Sequence, residues 1–209
     1  DPETIDHFRR WAKLHIQLYP YLSAMAREAA TSGMPMFRPL ALDYPSFEPG
    51  WSLTDQYMLG DRIVVAPVVE AGATSRSVAL PPGRFYPLEG GAAVVGGEPF
   101  EVDAPIEELP AFVPVGAMLV LLPSAVDTLV EDGASSDAVT LADAGDDREI
   151  WLYPGGASSF EETNGLAYTW QAANFDGDAE TATWNGESVA LADPLVLVGA
   201  GTLVLNPGG

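Results

Sequence analysis

From Ala73 onward the chain is cut by proline and glycine into short apolar segments, and this punctuation limits the folds open to it more than any other feature. Segments at 77–80, 84–86, 92–95, 100–102, 111–115 and 118–122 are each too short for a helix with a buried face. Their spacing predicts antiparallel strands joined by tight turns. After small and acidic residues at 131–137, a second series is expected at 138–141, 149–153, 158–162, 166–171, 181–184, 188–191, 195–198 and 202–205. Within it, Asn164-Gly165 lies between two alternating segments and predicts a two-residue hairpin turn of type I′, whose central residues both need positive φ.

The first forty residues behave differently. Asp1-Pro2-Glu3 reads as a helix start, with a capping carboxylate, a proline where no donor is needed and a glutamate favourable to the helix dipole. Apolar residues then recur at Ile5, Phe8, Ala12, Leu18, Leu22, Met25 and Ala29, which predicts one long amphipathic helix. Pro20 should kink it and Gly33 should end it. A short strand is expected at 34–40, and the β-branched run 63–69 reads as a central strand. The expected fold class is mainly β: antiparallel β-sandwich domains preceded by a long helix and a short strand.

Charge narrows the partners. Of nine basic and thirty acidic residues, residues 1–40 hold five and four, so they carry +1 and the remainder −22 of the formal charge of −21. Such a surface repels phosphate backbones and anionic headgroups, which argues against nucleic acid and membrane and for a neutral ligand or a protein. No apolar run reaches the ~18 residues of a spanning helix. Without cysteine, neither a disulfide nor a thiolate metal site can form.

Three stretches together resemble glycoside hydrolase family 31, the α-glucosidase and α-xylosidase group. The first is Leu18-Tyr19-Pro20-Tyr21-Leu22 followed by Gly33-Met34-Pro35-Met36-Phe37-Arg38-Pro39-Leu40. The second runs from Asp55-Gln56-Tyr57-Met58-Leu59-Gly60 through Ile63-Val64-Val65-Ala66-Pro67-Val68 to Leu80-Pro81-Pro82-Gly83. The third is Asp103-Ala104-Pro105, Leu109-Pro110-Ala111-Phe112-Val113 and Gly116-Ala117-Met118. Pro87-Leu88 and Pro114 depart from the family pattern, and beyond residue 123 the likeness is general, resting on Trp151-Leu152-Tyr153-Pro154-Gly155 and the Asn164-Gly165 hairpin.

The resemblance implies the last elements of a (β/α)8 barrel at 1–61, a proximal C-terminal β domain at 62–130 and a distal β-sandwich at 131–209. It implies a non-catalytic portion of a retaining α-glycosidase that supports the barrel active site, with the upstream barrel of the same protein as partner, a neutral oligosaccharide as the intact enzyme's substrate, and no cofactor. A free-standing carbohydrate-binding or interaction module is the alternative. Retaining hydrolysis needs two carboxyl groups ~5–5.5 Å apart, and the resemblance places that aspartate pair before Asp1. The chain alone is therefore expected to be inactive, with no catalytic residue.

Other polar residues read as structural. Asp103, Glu107 and Glu108 suggest a solvated acidic turn, and His7 and His15, about 80° apart on one helix, face no common metal. Arg38 is a candidate near the active-site face, but a structural ion pair of Arg38 with Asp55 is the preferred reading. Asn174, Asp176, Asp178 and Glu180 alternate around Gly177 like metal ligands, yet they miss the spacing of the calcium-binding EF-hand loop. Trp151, Trp170 and Trp184 fall in expected strands and read as core.

Overall fold

A computed structural model describes residues 2–130, 137–153 and 155–170, together with four further strands, at 181–184, 187–190, 195–198 and 203–206. The N-terminal helical segment is two helices, α1 (Pro2–Gln17) and α2 (Tyr19–Ser32), where one kinked helix was expected. The cause is Pro20, which has no N–H for the carbonyl of Ile16 and settles in the first turn of α2, where none is required. Backbone bonds from Leu18 N to Leu14 O and from Leu22 N to Leu18 O, both 2.9 Å, keep the two pieces in one run. Gly33, at φ 78°, ends α2 as expected, its N–H reaching Ala29 O.

Short elements follow: β1 (Phe37–Arg38), α3 (Leu40–Asp43), a 3₁₀ turn (Glu48–Trp51), β2 (Tyr57–Leu59) and β3 (Ile63–Val65). Then come β4 (Ser75–Val78), β5 (Gly83–Pro87), β6 (Val94–Gly96), β7 (Phe100–Asp103), β8 (Ala111–Pro114) and β9 (Met118–Leu121). After α4 (Leu141–Ala144) the chain continues with β10 (Glu149–Leu152), β11 (Ser158–Glu161) and β12 (Ala167–Trp170). The last strands are β13 (Thr181–Trp184), β14 (Glu187–Ala190), β15 (Leu195–Val198) and β16 (Leu203–Asn206).

The principal sheet has the order β1-β2-β3-β8-β5-β6, with every neighbouring pair antiparallel. The fold is thus mostly antiparallel β with few helices, and β3 is central as its β-branched sequence predicts. The short strand β1 is the edge of this sheet, which runs across residue 61. β9 pairs with β10, and β10 with β15.

Period-two alternation in β3, β5 and β8 separates two cores. Ile63, Val65, Tyr86, Ala111 and Val113 face a core shared with α1, α2, β9 and β10, including Leu14, Tyr21, Met25, Leu119 and Ile150. Val64, Phe85 and Phe112 face the other side, where Val78, Phe100 and Val102 of the β4–β7 pair join Leu40 and Phe47. Both faces of the sheet are therefore covered.

The hairpin between β11 and β12 forms around Asn164-Gly165, but its turn differs from the two-residue expectation. Gly165 N–H reaches Glu162 O at 3.1 Å and Glu162 N–H reaches Leu166 O at 2.8 Å, so the turn spans Glu162 to Gly165. Only glycine comfortably holds the φ of 92° at its end, and the Asn164 side chain accepts from Leu166 N–H at 3.0 Å.

Candidate functional site

Arg38 is buried, its side chain 2% exposed, and its guanidinium lies 3.3 Å from Asp43 and 3.4 Å from Glu28. Asp55 instead pairs with Arg76 at 2.9 Å. Both residues are ion-paired, but not to each other as the sequence suggested. Pairing of β1 with β2 sets Arg38 opposite Met58 and near α2 and α3, whereas Asp55 precedes β2 and meets β4. Arg38 Nε and Asp43 Oδ2 are buried without a hydrogen-bond partner. Burial pushes the Asp43 carboxyl above its usual range against the pull of Arg38, and the negative charges of Asp61 and Glu28 push it further.

The motif residues of the first two stretches meet in one place. Tyr21 Oη donates to Leu59 O at 2.8 Å and accepts from Arg62 N–H at 3.1 Å, with Asp61 Oδ1 at 3.3 Å. Burial, then the charge of Asp61, drives its phenol pKa far upward, so Tyr21 is a neutral hydrogen-bonding strut. Gly60, at φ 63°, lies so close that a Cβ there would run into the Tyr21 hydroxyl. Next to it, Arg62 donates to Met118 O at 2.5 Å and Ser159 O at 2.6 Å, tying β9 to β11. Gln56 donates to Ala79 O and accepts from Ala79 N–H, replacing a missing strand neighbour.

Each of these groups is engaged in hydrogen bonds or ion pairs that hold the fold together. Among the described residues the two buried glutamates are both committed: Glu149 accepts from Ser124 N–H at 2.8 Å and from Gln17 at 3.3 Å. Glu162 forms a two-pronged pair with Arg148, at 2.8 and 2.9 Å, and accepts from Tyr168 Oη at 2.8 Å. Asp103, Glu107 and Glu108 are exposed around a turn closed by Glu108 N–H on Pro105 O, the solvated acidic turn that was expected. His15 is exposed, His7 packs edge-on against Trp11 with ring centroids 6.2 Å apart, and among the described residues no group of three or more His, Asp or Glu could hold a metal.

Trp151 is half-buried against the shared core. The side chains of Trp170 and Trp184 lie outside the described residues, as do Asn174, Asp176, Asp178 and Glu180. The Arg148–Glu162 pair is what sequence reasoning missed; the hydrophobic pattern gives no sign of which arginine meets which glutamate across a turn.

Residues 33–119, which include Arg38, Gln56, Gly60 and the acidic turn, match the sequence profile of the glycosyl hydrolase family 31 C-terminal domain. That match assigns residues 33–119 to this domain family. The family 31 relatives include an isomaltosyltransferase of Sporosarcina globispora, 37% identical over 119 residues, which are 57% of this chain and 11% of the relative. A sulfoquinovosidase of Escherichia coli is 40% identical over 112 residues, 54% of this chain and 16% of that protein. The chain thus spans well under a fifth of the length of these relatives. The cycloalternan-forming enzyme of Listeria monocytogenes has the same fold over 91% of this chain and 20% of its own length, with a TM-score of 0.68 at 24% identity. The family 31 domain is the C-terminal part of larger enzymes, and its motif residues here serve packing and hydrogen bonding.

Proposed function

We propose that this chain is the non-catalytic C-terminal portion of a retaining α-glycosidase of the α-glucosidase or α-xylosidase type. Its work is to support the barrel that carries the aspartate pair, with a neutral oligosaccharide as the substrate of the intact enzyme. In this reading residues 1–61 close the barrel side, 62–130 form the proximal β region and 131–209 the distal one.

The observation that carries the proposal is the outward face of α1. Ile5, Phe8, Ala12 and His15 follow at steps of three and four, and Tyr19 stands four further on. Ile5 is 56% exposed and Phe8 74% exposed, while Leu14 of the same helix is buried in the core, where Trp11 packs against it. A helix that is apolar on both sides suits two packing partners, and among the described residues only one side is covered. The domain match and the acidic surface supply the chemistry of the other: a protein body belonging to a glycosidase.

Two measurements test this. The 209-residue chain should hydrolyse aryl α-glucosides and α-xylosides no faster than a blank, and turnover above it would show that this chain holds its own catalytic pair. Phe8→Glu should make the chain more soluble, and in the longer enzyme it should lower the thermal midpoint. Equal midpoints for the two longer enzymes would remove the docking role of α1.

A further inference from the structure

A cavity of about 640 Å³ opens between α1 and the loops at 67–74 and 104–109. We propose that it binds a short neutral oligosaccharide, with Trp11 as the stacking wall and Glu70, Glu107 and Glu108 as hydroxyl acceptors.

The walls are built rather than incidental. Three elements distant in sequence converge, and each is fastened. Arg10 of α1 donates to Glu107 O at 3.3 Å and pairs with Glu89 at 2.6 Å, which holds the 104–109 loop to the helix. Ala104 N–H reaches Thr74 O at 2.8 Å and joins the two loops to each other, and Arg76 donates to Pro67 O behind them. The Trp11 ring is fixed by the Arg10 guanidinium, 5.3 Å from its centroid, and by His7 at its edge. A cavity of this size falls within the ~300–1,000 Å³ typical of small-molecule sites.

The lining selects the ligand. Three glutamates and one histidine face the cavity with no arginine or lysine among its lining residues, so a phosphate or carboxylate ligand is repelled. Among the described residues no acidic group is set to hold a metal. A molecule with hydroxyl donors for the carboxylates and C–H faces for Trp11, Pro67, Pro105 and Leu109 suits this lining, and a pyranose has both. Ile106, 86% exposed, stands among the lining residues and gives further apolar surface.

The shape points to a chain of sugars and not a single ring. A second concavity of about 310 Å³ shares Val68, Glu70 and Ala73 with the first, and a third of about 470 Å³ shares Glu108 and Leu109. Hollows that share lining residues suit consecutive residues of one sugar chain. This site goes beyond the supporting role proposed above and stands independently of it.

The test is titration of the ¹⁵N-labelled full chain with isomaltotriose and, separately, maltotriose. Saturable shifts are expected at the Trp11 indole N–H and at the amides of 67–74 and 104–109. Trp11→Ala should weaken binding at least tenfold, and Glu107→Gln with Glu108→Gln severalfold. Because Trp11 also touches the core, Thr74→Trp provides a second variant that fills the cavity from an exposed position and should abolish the shifts. Absence of saturable shifts with either sugar, shifts confined to other surfaces, or unchanged binding in the Thr74→Trp protein would each overturn the proposal.

Discussion

Gly60 and Tyr21 form a pair in which each residue explains the other. The glycine adopts φ 63° with its Cα side against the phenol, and the phenol bridges Leu59 O and Arg62 N–H. Gly60→Ala forces a side chain into a left-handed backbone, which alone costs about 1–2 kcal/mol, and drives it into the hydroxyl. Tyr21→Phe leaves buried backbone groups unpaired, a loss of about 1–3 kcal/mol. Since removing the hydroxyl also removes the tightest of the clashes, leaving those with the Tyr21 ring and Met25 Sδ, the double variant should be more stable than the sum of the two losses predicts. Chemical denaturation of the four proteins checks this, and strict additivity would mean that the two residues do not interact.

Asp43 carries a pH signature of definite sign. Its folded pKa is raised, so the folded chain takes up this proton at higher pH than the unfolded chain does. Ionised Asp43 therefore weighs against folding above its folded pKa, and the penalty fades as the pH falls toward the unfolded value. Relative to wild type, Asp43→Asn should become more favourable as pH is raised from about 4 and level off once the folded carboxyl is ionised, read from thermal midpoints of both proteins. A difference independent of pH would show that the burial of this carboxyl is not felt.

At the scale of elements, the hairpin β11–β12 shows how a polar anchor can outweigh local sequence. Asn164-Gly165 made the turn legible, because few other pairs tolerate such backbone. What could not be read was its fastening to the body: Arg27 donates to the carbonyls of Glu161 and Glu162, Arg62 to Ser159 O, and Arg148 clasps Glu162. These contacts join residues far apart in sequence, and charge carries no periodicity from which a partner can be inferred. The same holds for Arg38 and Asp55, correctly seen as ion-paired residues but assigned to each other.

Arg148 and Glu162 are each 5% exposed in their side chains. Removing one charge leaves the other buried, so Arg148→Met or Glu162→Leu alone should cost about 3–5 kcal/mol. The double replacement should lie closer to wild type than either single one. If all three variants unfold at the same denaturant concentration, the pair is not the anchor. Arg62→Lys tests the neighbouring tie, since an ammonium cannot span two carbonyls as a guanidinium does. Amide exchange should rise selectively in β11 and β12 while Ile63–Val65 stays protected.

For the molecule as a whole, the division between a helix-led start and a punctuated β remainder was readable because apolar period and breaker residues are local properties. Which face of α1 is buried was not: its apolar residues run most of the way round, and only the sheet decides that Leu14 goes inward and Phe8 outward. Charge gives the last test at this scale. A formal charge of −21 on 209 residues makes the compact state repel itself. Salt shortens the reach of that repulsion from about 30 Å at 0.01 M to about 8 Å at 0.15 M, while the Arg148–Glu162 pair, shielded from ions, loses little. The thermal midpoint should therefore rise as sodium chloride is added over this range. In Arg148→Met it should rise by a similar amount from a lower start, because the variant loses a buried contact and keeps the surface field. A midpoint that falls with salt would mean that exposed attractions, such as Arg10–Glu89 and Arg9–Asp6, outweigh the excess of negative charge.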